Sequence, residues 1–241
     1  VVRGTLRILA IVPAYNEEKA IGDVIRSLKD RYRSLDVLVV NDGSTDGTSG
    51  KARAEGASAV IDLPCNLGIG GAVQTGFLYA VREGYGAAFQ FDGDGQHLAG
   101  EVEKIVGPVL AGEADVVIGS RFLAGNRGFR STLSRRAGIK IFEWVNSLLI
   151  GRRITDNTSG FRAYNGAALD FLSKHYPSDY PEPEAVILLG RNGFRLREVS
   201  VEMAERTSGT SSITAFRSLY YMVKVLLAVF MTALRPPVQA R

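Results

Sequence analysis

The chain reads as a single α/β domain built on a mostly parallel sheet with helices on both faces, followed by amphipathic helical sequence at the C-terminal end. The alternation of its segments points there. Over residues 6–121, short apolar segments alternate with segments whose apolar residues recur at helical spacing. The alternation of strand and helix makes successive strands parallel, with crossover helices covering the sheet. In order, Leu6–Val12 is the first strand, and Glu17–Tyr32 is a helix with Ile21, Val24, Ile25 and Leu28 on one face. Val37–Val40 is a buried strand, Thr45–Ala54 a short helix and Ala59–Ile61 a third strand. Gly70–Arg82 is a helix, Gly86–Phe91 a fourth strand, Val102–Leu110 a helix and Asp115–Ile118 a strand. Past Arg121 the pattern changes. The loop residues Ala124–Gly128 lead into a helix from about Thr132 to Leu149; Gly160–Tyr164 is strand-like, Pro183–Asn192 roughly helical and Arg195–Val201 a strand. A polar stretch, Glu205–Ser212, precedes the last helix. No linker divides the chain, so residues 1–212 are expected to form one domain, with halves at about 1–120 and 121–212, and residues 213–241 an appended amphipathic helix and tail.

At 46% hydrophobic residues over 241, the chain can bury a substantial core and is not a disordered protein. A single cysteine, Cys65, excludes an intramolecular disulfide and fits a reducing compartment. With only His97 and His175 there is no Cys/His cluster for zinc. Val1–Thr5 runs straight into strand-like sequence without the pattern of a secretory signal. The net charge is +4, but Arg121–Arg153 holds seven Arg and one Lys against one acid, Glu143, so the rest of the chain is mildly acidic. A basic patch on an acidic body calls for an anionic partner. The patch lacks a basic-aromatic recognition signature, which favours lipid over nucleic acid.

Ligands of open α/β sheets sit beyond the carboxyl ends of the strands, and the unusual residues are there. Strand one runs into Pro13-Ala14-Tyr15-Asn16-Glu17-Glu18, strand two into Asn41-Asp42-Gly43-Ser44-Thr45, and strand four into Asp92-Gly93-Asp94-Gly95-Gln96-His97. Read as extended chain, Asp92, Asp94 and Gln96 would face one point. Two carboxylates and an amide oxygen suit Mg²⁺ or Mn²⁺, above all with phosphate oxygens completing the shell. An Asp/Gly turn and ordinary helix caps at Glu17, Glu18, Ser44 or Thr45 are the plainer readings. The run Asn66-Leu67-Gly68-Ile69-Gly70-Gly71 is a tight, closely packed turn; without a following Lys-Ser/Thr it is not a Walker loop.

Taken together, IVPAYNEE, VNDGSTDGT, NLGIGGAVQTG, FDGDGQH, IGSRF and DNTSGFRAYN resemble the inverting family 2 glycosyltransferases, whose GT-A fold is a Rossmann-like, mostly parallel sheet. The DNTSGFR block and ERTSGTSSI at 205–213 resemble the branch that makes polyprenyl-phosphate (dolichyl-phosphate) sugars. The resemblance implies that residues 1–120 are the donor half and 121–212 the acceptor half. It implies that Pro13, Tyr15, Glu17 and Asp42, with Asp92, bind the nucleotide-sugar. Asp92, Asp94 and Gln96 would hold the Mg²⁺ or Mn²⁺ that bridges the diphosphate. Asp94 would also act in catalysis. So would Arg121 and Arg162 on the acceptor phosphate, and Arg206, closing over the diphosphate. Glu184, or its neighbour Glu182, would contact the donor sugar, serve as the base found in relatives with hydroxyl acceptors, or cap the helix that follows. Relatives often carry a basic residue where Ile69 stands, which weakens a phosphate contact by that loop.

The expected reaction is transfer from a nucleotide-diphosphate sugar, UDP favoured over GDP, to a polyprenyl phosphate. A phosphomonoester ionises a second time near pH ~6 and can attack without a general base. A family 2 enzyme acting on a sugar hydroxyl, or a non-catalytic nucleotide-sugar-binding scaffold, are the rival readings. In 216–235, Leu219, Val223, Leu226, Leu227, Phe230 and Leu234 form a wide apolar stripe opposite Arg217, Lys224 and Arg235. That is the pattern of an interfacial helix, interrupted too often to span a bilayer. The protein is therefore expected on the cytoplasmic face of an anionic membrane, with a small integral membrane partner helping to anchor it and no nucleic acid bound.

Overall fold

The computed structural model describes residues 6–123, 147, 149–204, 224 and 227–236. The expected helix at 132–149 falls largely outside the described residues, as do 205–223, and with them Arg206 and its loop. The described elements run β1 (Ile8–Ala14), α1 (Ile21–Arg31), β2 (Asp36–Asn41), α2 (Thr48–Ala54), β3 (Ala59–Asp62), α3 (Gly68–Arg82) and β4 (Ala87–Gln90). There follow α4 (Val102–Leu110), β5 (Val116–Ser120), β6 (Arg162–Asn165), α5 (Gly166–His175), α6 (Pro181–Arg191) and β7 (Leu196–Ser200). Residues 227–234 are helical.

The strands form one sheet in the order β3-β2-β1-β4-β6-β5-β7. All neighbours are parallel except at β6, which runs antiparallel to both β4 and β5. The central strands are buried on both faces, as their unbroken apolar runs require: β1 is buried from Leu9 to Ala14 and β2 from Val37 to Asn41. One face packs on α3, α5 and α6 through Phe77, Leu169, Leu172 and Leu189; the other packs on α1 and α4 through Ile25, Leu28 and Ile105. The helix–sheet approach is closest at Gly76, where a Cβ would lie 2.3 Å from Ile11 Cγ2.

The sequence reading missed one helix, α5. Its signal was present: the Asn165 side chain accepts a hydrogen bond from the Ala168 N–H at 2.9 Å and so caps the helix. The Gly-Ala-Ala start supplies no apolar period, and burial of Leu169, Phe171 and Leu172 against the core decides the matter. The helix expected from Glu17 begins only at Ile21, because residues 15–18 are drawn into the loops at the sheet edge.

Candidate active site at the carboxyl edge of the sheet

The loops after β1, β2 and β4 meet on one edge, as their positions after parallel strands require. The Asp42 N–H donates to Ala14 O at 2.9 Å, and the Gly93 N–H to Pro13 O at 3.3 Å. A Cβ on Gly93 would sit 3.1 Å from that same carbonyl. Asn16 takes a left-handed backbone, φ 54°, an uncommon conformation that Asn tolerates better than most residues. It anchors the second loop: Asn16 Oδ1 accepts from the Thr45 N–H at 2.9 Å, and the Asn16 N–H donates to Ser44 Oγ at 2.9 Å. The Glu17 N–H donates to Thr48 Oγ1 at 2.9 Å. Pro13 is buried, Tyr15 is 49% exposed at the rim and Glu17 is half-buried. Asp42 is buried and receives the Leu67 N–H at 2.7 Å, tying in the glycine-rich turn. Gly43 packs so tightly there that a Cβ would meet Asn66 N at 2.6 Å, with φ at 68° as well. The four residues thus stand on two loops that are hydrogen-bonded to each other.

Asp92 and Asp94 lie on a turn, not on extended chain, so the alternation argument for their facing one point does not hold. Gly95, φ 78°, reverses the chain, and Asp94 Oδ1 accepts from the Gln96 N–H at 3.0 Å. Asp92 is held by its neighbours. Gln90 Nε2 donates to Asp92 Oδ1 at 2.9 Å. The Asp92 N–H donates to His97 Nδ1 at 3.0 Å, which puts the imidazole proton on Nε2, 3.6 Å from Asp92 Oδ2. His97 is buried against Phe91 and Phe161, and that burial lowers its pKa, so the ring is neutral. Asp92, Asp94 and Arg121 are its charged neighbours. Gly160 closes the back of the site: a Cβ there would meet Gln90 Nε2 at 2.6 Å and the Asp92 carboxylate at 3.3 Å.

This donor set fits a hard divalent cation. Asp92, Asp94 and Gln96 are half-buried and offer only oxygen ligands from their side chains. Among the described residues no three His, Cys, Asp or Glu side chains converge as a metal cage. A cation here would therefore take much of its shell from outside the protein, as Mg²⁺ and Mn²⁺ do with phosphates.

Arg121 stands at the end of β5 with its guanidinium on the fully buried Asp156: Nε to Oδ2 is 2.7 Å and Nη2 to Oδ1 is 2.8 Å. Nη2 also reaches Thr158 Oγ1 at 2.9 Å. The carboxylate raises the Arg121 pKa against the effect of burial. Asp156 is itself oriented by Glu198 of β7, which accepts from the Thr155 and Asp156 N–H groups at 2.8 and 2.7 Å.

Two expectations need correction. Arg162 is not a group presented to an acceptor. It is 1% exposed, and Nε, Nη1 and Nη2 donate to the carbonyls of Ser159, Glu182 and Asn157 at 2.7, 2.9 and 2.9 Å. It is a brace between the 157–159 turn and the start of α6. For Glu184, the helix cap among its expected roles is the one its contacts match, in place of a catalytic one. Its Oε1 accepts from the Tyr180 N–H at 3.2 Å and its Oε2 from the Thr232 hydroxyl at 2.9 Å, so it fixes the first turn of α6 to the C-terminal helix. The carboxyl that shares surroundings with Asp92, Arg121 and Arg162 is Glu182; burial raises its pKa, with Arg162 opposing and Asp92 adding to the rise.

Reasoning from the sequence missed Gln90 and Glu198. A lone polar residue inside the apolar run Ala87–Phe91 was a usable signal for Gln90. Glu198, in an ordinary-looking charged edge strand, carried none.

Comparison with known proteins identifies the family and the fold. The family model Glycosyl transferase family 2 matches residues 9–172, from β1 into α5. An undecaprenyl-phosphate mannosyltransferase of Micrococcus luteus is 31% identical over 223 residues, 87% of this chain and 88% of that one. A UDP-N-acetylglucosamine–dolichyl-phosphate N-acetylglucosaminyltransferase of Methanococcus voltae is 29% identical over 239 residues, covering 90% and 94% of the two chains. Among solved structures, glucosyl-3-phosphoglycerate synthase of Mycobacterium tuberculosis, in complex with Mn²⁺, uridine diphosphate and phosphoglyceric acid, matches with a TM-score of 0.71. The two share 22% identity over 96% of this chain and 80% of that one. The mixed sheet with its polar carboxyl edge is the GT-A architecture, and the chain belongs to glycosyl transferase family 2.

Proposed function

We propose that the protein transfers a sugar from a nucleotide-diphosphate sugar to a polyprenyl phosphate, with inversion, at the cytoplasmic face of a membrane. The observation that carries this reading is the meeting, on one sheet edge, of the nucleotide-side loops, the Asp92–Gln96 turn and the Asp156-braced Arg121. The relatives from Micrococcus luteus and Methanococcus voltae, named for polyprenyl-type phosphate acceptors, support the acceptor class. The second of them, and the fold-mate bound to UDP and Mn²⁺, support a uridine nucleotide and a divalent cation.

Pro13, Tyr15, Glu17 and Asp42, on the two joined loops, are the residues assigned to the base and ribose. Asp92, Asp94 and Gln96 would hold Mg²⁺ or Mn²⁺, which supplies positive charge to the departing diphosphate when bound. Gln90 orients the Asp92 carboxylate and His97 holds the Asp92 backbone N–H, so the residue is positioned before binding. Arg121, its Nε and Nη2 held by Asp156 and Thr158, would bring a fixed positive charge to the acceptor phosphate. Because that phosphate is already anionic, alignment and leaving-group stabilisation are the protein's main tasks. Glu182 faces the donor sugar. Arg206, which lies outside the described residues, would by resemblance act on the diphosphate.

The helical residues 227–234 add support for a membrane acceptor. Leu227, Phe230, Met231 and Leu234 are each more than half exposed, while Val229 and Ala233 pack inward near Ile187. Among the described residues no helix is long and apolar enough to cross a membrane. The deciding experiment is extraction of labelled lipid product after mixing the protein with UDP- and GDP-sugars, polyprenyl phosphate and Mn²⁺. Chelation, or Asp94→Ala, should abolish product while leaving the unfolding temperature within a few degrees. Product formed at parental rates by Asp94→Ala would refute the cation assignment. Transfer only to sugar hydroxyls would refute the acceptor.

A further inference from the structure

Away from the active-site edge, the 227–234 helix, α6 and the turn 176–179 enclose a pocket of about 400 Å³. Arg191, at the last turn of α6, and Arg235, just past the C-terminal helix, both line it. Arg191 Nε is buried without a hydrogen-bond partner among the described residues, and so is the neighbouring acceptor Asn192 Oδ1. A buried polar atom left unmatched is costly and uncommon. The other charges in the lining are spoken for or open to water. Lys174 pairs with Asp170 at 2.8 Å, Glu184 is taken up by Tyr180 and Thr232, and Asp179 and His175 are exposed. The pocket thus has one arginine, Arg191, in its lining and a second, Arg235, at its lip.

The same helix exposes Leu227 at 65%, Phe230 at 55%, Met231 at 54% and Leu234 at 64%, and this apolar ridge ends at Arg235. A cationic pocket at the end of an apolar ridge is complementary to an amphiphile with an anionic head. We propose that the pocket seats the phosphate of an anionic phospholipid between Arg191 and Arg235, while the ridge rests in the acyl boundary. This lipid is an anchor and not the acceptor, and the assignment rests on the proposed function only in placing a bilayer beside the protein.

The test is cosedimentation of the full chain with vesicles of phosphatidylcholine, with and without phosphatidylglycerol. Arg191→Gln/Arg235→Gln should lower partition into phosphatidylglycerol vesicles by about thirtyfold, two basic groups at their usual surface contribution. Arg235→Gln alone, at an exposed position, should lower it about fivefold. Arg33→Gln/Arg82→Gln, exposed positions far along the chain, should leave partition within twofold. Partition of the pocket variants at the parental level, or an equal loss in the Arg33/Arg82 control, would overturn the proposal. So would inorganic phosphate binding that depends on Arg191 while vesicle partition does not, since the ligand would then be a free anion. Transfer to a short-chain polyprenyl phosphate in detergent should survive in the pocket variants. If the parent makes no such product yet keeps the Arg191-dependent partition, the functional reading fails and the lipid site stands.

Discussion

Replacing Asp156 by Ala should cost far more than loss of one surface ion pair. Its carboxylate is 0% exposed and receives Arg121 Nε and Nη2 at 2.7 and 2.8 Å, the Arg121 N–H at 3.1 Å and the Thr158 hydroxyl at 3.2 Å. The Arg121 side chain is only 19% exposed, so water reaches it poorly once the partner is gone. Breaking a buried pair from one side costs about 3–5 kcal/mol, and the residual exposure of Arg121 points to the lower end. For a domain of this size each kcal/mol moves the unfolding temperature by about 2–4 °C, so Asp156→Ala should unfold roughly 6–12 °C below the parent. Differential scanning calorimetry measures this directly. The double variant Arg121→Met/Asp156→Leu should recover most of the loss, because no uncompensated charge stays behind. An Asp156→Ala midpoint within about 2 °C of the parent, or a double variant as unstable as the single, would refute the reasoning.

Glu182→Gln should reduce kcat/KM by about tenfold or more, the worth of one hydrogen bond to a charged group, without moving the unfolding temperature. Glu184→Ala should do the reverse, lowering stability by about 1–2 kcal/mol through its lost Tyr180 and Thr232 bonds and keeping turnover within about twofold; the paired kinetics and melts decide between the two acids. Burial pushes the Tyr164 phenol up to about 12. Its ordinary value is near 10, so its contribution is whole below pH ~10 and is lost as the pH rises through the folded value. Urea midpoints should accordingly fall between pH ~10 and ~12, less steeply in Tyr164→Phe. Gly76→Ala should destabilise the domain by about 1–2 kcal/mol, overpacking against Ile11 outweighing the gain in helix propensity; chemical denaturation measures it.

The sheet was legible because its strands are apolar without interruption and its helices α1 and α4 keep a clean period, as Ile21, Val24, Ile25 and Leu28 do. The site's position was legible because parallel strands send their loops to one edge. What the sequence did not disclose was which charged side chains turn inward to brace. Arg162 and Glu184 carry the residue types of catalytic groups, yet tertiary contacts made after folding consume them. The Glu182 carbonyl for Arg162 and the Thr232 hydroxyl for Glu184 lie far along the chain, and no local pattern encodes those partners. The Asp92–Asp94 geometry eluded the alternation argument for a related reason: Gly95 bends the chain at the point where extension was assumed.

The reversed strand β6 has a wider implication. Ile118 of β5 pairs with Arg162 of β6, and the Gly119 N–H donates to Phe161 O at 2.8 Å, so the chain departs at Ser120 and comes back at Arg162 through the mouth of a two-stranded hairpin. The stretch just before that return is built into the fold: Ile154, Asp156 and Asn157 are buried, and Asp156 is tied to Arg121 on one side and to Glu198 on the other. A strand that turns back into the sheet thereby fastens one turn to two neighbouring strands, and a change in that turn is felt by both.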